Sequence, residues 1–197
     1  MGGMEGLAPI DGWAVAAILA KAVGYVTALL AIGGPLFSIA FREAPDDVLR
    51  LARTIATAAA LISIAVLALR FGIRAGRISG MGAAGMMDPL MLGIVWDSPL
   101  GWAALWRGAG AVLILAVLFD TSVTSALSVI GSVLVASSYS LVGHSLGDPR
   151  WVLAVLLSIH LLAVGFWLAA LVPLYRATYL PQGAALLQPR AAAGSMP

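Results

Sequence analysis

Long runs without a charged residue, the clearest from Trp151 to Tyr175, constrain this chain more than any other feature. A helix needs roughly 20 apolar residues to cross a bilayer. Several such runs within 197 residues leave no room for a sizeable soluble domain. Composition agrees: 61% hydrophobic residues, 10% charged and a mean hydropathy of +1.02 lie outside the range of soluble domains. A β-barrel needs alternating segments of about ten residues, and the chain has none. The fold class is therefore all-α, an integral membrane helical bundle.

Five spans are expected, at approximately 13–41, 48–71, 101–119, 122–143 and 150–176, forming one transmembrane domain over 1–180. In the first, Lys21 can snorkel and Gly33-Gly34-Pro35 predicts a kink. Asp46 or Asp47 is the expected N-cap of the second. The third poses a conflict. Between Arg107 and Asp120 lie only 12 uncharged residues, about 18 Å of helix. Starting near Gly101 restores the length and places Arg107 inside the span, bonded to a carboxylate such as Asp97 or snorkelling. The fourth span carries serines and Gly131 at a spacing that lets helices approach closely. Pro173 is expected to disturb the last turn of the fifth. Residues 72–100 form a long Met- and Gly-rich interfacial connection, partly helical around Met87 and Met91. Residues 181–197 read as a low-complexity tail.

The net charge of +2 and pI near 9.4 come from scattered arginines beside apolar runs. These suit phospholipid headgroups; no basic run points to nucleic acid. With no cysteine, disulfides, thiolate metal sites and thiol redox chemistry are excluded. Glu5 and Asp11, rather than a basic segment, precede the first apolar run, so it is expected to stay as a helix and not to be cleaved. Arg42, Arg50, Arg53, Arg176 and Arg190 on one side balance Arg70, Arg74, Arg77, Arg107 and Arg150 on the other, so orientation is left open. One relation survives either choice: the methionine connection and His144 face the same side.

Two histidines and a group of methionines carry the candidate chemistry. His160 lies inside the last span, where an ionisable side chain is a functional hypothesis by default, and is expected to face the bundle interior. Trp167 shares its face at seven positions' distance, more simply as packing than as a cation contact. His144 follows the fourth span, and its bland reading is a solvated loop histidine. About 15 Å of helix separates His160 from the start of its span, which suits two steps of a path better than one two-histidine site. Met81, Met86, Met87 and Met91 offer thioethers, whose bland role is apolar anchoring. Imidazole together with thioether is the ligand chemistry of copper, above all Cu(I). No nucleophile elbow, phosphate loop or H-E-x-x-H stands in the chain, so it is not expected to be an enzyme.

Three stretches carry a family resemblance, the weakest being the N-terminal span with its glycine-rich end. G-H-S-L-G-D-P-R-W…S-I-H-L-L-A-V-G-F-W-L-A-A-L-V-P-L, residues 143–174, resembles the copper resistance protein D family, multi-span proteins of the bacterial inner membrane. S-P-L-G-W-A-A-L-W-R, residues 98–107, is similar to the family's segment ending in a membrane-embedded arginine. Ala169-Ala170 stands where the family has paired glycine, which puts close helix packing there in question. Family members usually continue with further spans, so a truncated or short member is expected.

The resemblance implies copper handling: capture of Cu(I) at one face, delivery by a periplasmic copper carrier, and uptake towards the cytoplasm in copper homeostasis or resistance. The metal ligands then expected are His144, His160, Met81, Met86, Met87 and Met91. Two other classes stay open. One is a b-type haem electron-transfer protein with two facing histidines at similar depth. The other is a non-catalytic assembly subunit, whose small-residue faces dock other helices in a homo- or hetero-oligomer.

Overall fold

Asp11 opens the bundle, its carboxylate accepting the Ala14 N–H at 2.7 Å as the N-cap of the first helix. The computed structural model describes residues 11–142 and 149–179. They form α1 (Gly12–Ala40), α2 (Asp46–Ser79), α3 (Pro89–Trp96), α4 (Pro99–Ile114), α5 (Ser122–Ser138) and α6 (Arg150–Thr178). Short 3₁₀ segments cover Gly82–Met87, Leu115–Leu118 and Tyr139–Leu141. Among the described residues, five helices are long and apolar enough to cross a membrane: α1, α2, α6, and α4 and α5 with their 3₁₀ extensions. The protein is a multi-pass, all-helical bundle.

Several expected boundaries move. α1 runs through Pro35 to Ala40, and α6 runs through Pro173 to Thr178. α2 begins after Pro45, so Asp46 and Asp47 are first-turn residues, which suit the positive end of the helix, and not its cap. It also continues eight residues past Phe71, to Ser79. Charge at Arg74 and Arg77 ends the apolar run there, but the helix goes on because Ile73, Ala75 and Gly76 are buried beneath the next segment.

The core is built from small residues. Ala28, Ala31, Ile32, Ala59, Ala60, Ala111, Ile114, Val135 and Ala136 form one buried cluster of α1, α2, α4 and α5. Close approach is specific: a Cβ on Gly131 of α5 would meet the Gly110 carbonyl of α4 at 2.5 Å. On α6, Gly165, Ala169, Ala170, Pro173 and Ala177 are buried. A Cβ on Gly33 of α1 would collide with the Gly165 carbonyl and Ala169 Cβ. Close packing thus survives at Ala169-Ala170, because α1 supplies the glycine. Ser132 Oγ donates to the Ile32 carbonyl at 3.1 Å, tying α5 to α1.

With alternating spans, the α1 start, α2 end, α4 start, α5 end and α6 start share one face. The opposite face carries the ion pairs Arg53–Asp120 (2.7 Å) and Arg176–Asp47 (3.9 Å).

Candidate functional site

The connection after α2 folds back onto that helix. Gly80 and Gly82 have positive φ (68° and 59°), which glycine adopts without steric cost, and they reverse the chain around Met81. Gly82 then rests on the Trp13 ring at the start of α1, and Gly85 packs on Ser79 and Gly76. α3 follows, capped by Asp88, which accepts the Met91 N–H at 3.0 Å. Leu90, Ile94 and Trp96 are exposed along it, as an interfacial helix requires.

The four methionines divide. Met86 lies against α2, its Cε 3.2 Å from where a Gly72 Cβ would stand. It is a packing residue. Met81 and Met87 are 60% and 81% exposed and present free thioethers, while Met91 is half-buried in the first turn of α3. His144 follows α5 in the sequence and lies outside the described residues. Among those residues, no three His, Asp or Glu side chains come together.

His160 departs from expectation. It is exposed on α6 and has no hydrogen-bond partner among the described residues. The cause is α6's small-residue stripe: nine residues from His160 to Ala169 turn the helix by about 900°, roughly half a turn from alignment. Docking Ala169 against α1 therefore points His160 outward, with Leu156 and Trp167, both exposed. The buried polar residues described are Thr27, Ser63, Arg107, Ser128, Ser132, Ser138 and Ser140. None is a soft copper ligand.

Arg107 is buried as expected, at 7% exposure, but Asp97 is not its partner. Its Nε donates to Ser138 Oγ at 3.0 Å, and its guanidinium lies 3.9 Å from the Tyr139 ring centre. Tyr139 stacks on Tyr25 at 5.1 Å, and Lys21 Nζ sits 5.9 Å from the Tyr25 ring centre. Lys21, Tyr25, Arg107 and Tyr139 line a cavity of about 480 Å³, with Arg70, Arg74 and Arg77 of α2. Tyr25 and Tyr139 were not singled out by the sequence, and Lys21 only as a residue able to snorkel. One signal was available: Lys21, Arg70 and Arg107 each lie eight or nine residues inside the same-face end of their helices, about 12–14 Å deep.

A family model described as copper resistance protein D-like, N-terminal domain, matches residues 10–151. The match takes in the methionine connection, Arg107 and His144, and stops at the start of α6, before His160 and Trp167. No curated protein and no solved structure matches the chain.

Proposed function

The chain belongs to the copper resistance protein D-like family, and from that membership we propose a non-enzymatic protein of the bacterial inner membrane that captures Cu(I) for uptake. The observation that carries this reading is the exposed thioether pair of Met81 and Met87, held on the face that leads into His144. Thioether and imidazole select a soft monovalent ion over hard cations. Weak, exposed ligands also suit a conduit, since an ion held too tightly cannot leave. A periplasmic copper carrier is the partner that such a face would meet. Copper here is cargo.

Among the described residues the buried hydroxyls of the bundle centre give Cu(I) no soft ligand, and His160 lies on the outer side of α6, so a passage step there needs a partner helix against that face. Two facing histidines inside the bundle, which a b-type haem would need, find no support in that placement. The assembly-subunit reading keeps one favourable observation. Only 11% of the most apolar stretch of α6 is buried, against 28–39% for the other four spans, which leaves a face for another helix.

Copper accumulation in cells expressing the full chain tests the proposal. Joint Met81→Ala, Met87→Ala and His144→Ala changes should lower accumulation several-fold at unchanged protein level. His160→Ala should lower it while leaving copper bound at the surface of isolated membranes. Wild-type accumulation in both variants would sink copper uptake and promote the assembly reading.

A further inference from the structure

The cavity between α1, α2, α4 and α5 has the wrong charge for copper. Lys21, Arg70, Arg74, Arg77 and Arg107 line it, and among the described residues no carboxylate does. Both ion pairs of the described residues lie elsewhere, so none of the five cations has an acidic partner among them. At its inner end, Arg107 is 93% buried, with Nε committed to Ser138 and its face covered by Tyr139. That leaves the Nη edge, and Nη2 is buried without a hydrogen bond. The Tyr139 hydroxyl is a second buried polar atom without a partner, in the same cavity.

A buried guanidinium without a counter-charge is strongly unfavourable, and two orphaned donors in one cavity state what is missing. We propose that this cavity binds an anionic phosphate group, with Arg107 Nη2 and the Tyr139 hydroxyl as inner donors and Arg70 closing over it from α2. The guanidinium edge matches the paired oxygens of phosphate. Arg70 is held by Gly24 of α1: a Cβ there would stand 3.4 Å from Arg70 Nη1 and 3.3 Å from Val66. Depth and charge fit the phosphate of a lipid headgroup or a free phosphate ion alike. The site is independent of copper capture, since it uses neither histidine nor methionine.

The full chain in dodecyl maltoside micelles, which carry no phosphate, followed by thermal unfolding, tests this. One arm adds inorganic phosphate against chloride at matched ionic strength. The other adds phosphatidylglycerol to the micelles, and native mass spectrometry counts retained lipid. Stabilisation in the first arm identifies a soluble phosphate, and in the second a lipid. In whichever arm responds, Arg107→Gln should weaken apparent affinity at least tenfold and Tyr139→Phe several-fold. If Arg107→Gln does not fold, Arg70→Gln carries the same expectation of at least several-fold weakening. Arg50→Gln, on the opposite face, should respond as wild type. No stabilisation in either arm, or undiminished stabilisation in the Arg107 and Arg70 variants, overturns the proposal.

Discussion

Arg107 marks the limit of what a single residue discloses. Its burial was legible, because a span too short without it must contain it. Its partners were not, since Ser138 and Tyr139 lie 31 and 32 positions on and meet it only when α4 and α5 pack. Small residues behave the same way. Gly131 stood out as a packing position, but only the fold shows that it meets Gly110. A Cβ at Gly131 would come within 2.9 Å of Ile114 N and Leu113 Cβ as well. Gly131→Val should therefore destabilise the bundle by about 1–3 kcal/mol or more, as overpacking does. Gly93, inside α3, has nothing within 4 Å of its would-be Cβ. Gly93→Ala should be neutral, or stabilise by about 0.5–1 kcal/mol through helix propensity. Reversible unfolding in detergent checks both, and equal effects at the two glycines would contradict the packing described.

Five spans were readable because bilayer thickness sets a length that uncharged runs either reach or miss. Their ends were less readable. Hydropathy stops where charge begins, but α2 carries Arg74 and Arg77 onward because its other face is covered by the methionine segment. A kink at Pro35 and a disturbed last turn at Pro173 were expected within continuous spans, and both helices do continue past these prolines, which are buried where α1 and α6 press on their neighbours. The methionine segment itself splits into anchor and proposed ligand. Met86 sits on Gly72 and Gly76, with Cγ 3.1 Å from a Gly76 Cβ position, whereas Met87 is 81% exposed. Met86→Ala should loosen the segment by about 2 kcal/mol, the low end for a packed methionine, visible as faster amide exchange over 82–96. Met87→Ala should leave exchange unchanged and weaken Cu(I) binding. The opposite assignment of effects would mean that the segment docks through its other side.

Across the whole molecule, the two kinds of chemistry separate by position. Soft ligands occupy the outer surfaces, at the methionine face and on α6, while the cavity beneath that face is cationic. Counting arginines by side produced a tie, and the count omitted Lys21, which the fold groups with Arg70 and Arg107. A copper ion passing through the cavity would meet like charge at every step. At an effective dielectric of about 20, two unit charges about 10 Å apart repel by about 1.7 kcal/mol. Removing one should then speed a cavity-borne cation by on the order of tenfold. Passage along His160 on α6 predicts no such gain. Arg70→Gln should therefore leave copper accumulation within about twofold of wild type, at matched protein level, while His160→Ala lowers it. A rise near tenfold in the Arg70 variant would instead route copper through the cavity and remove His160 from the path.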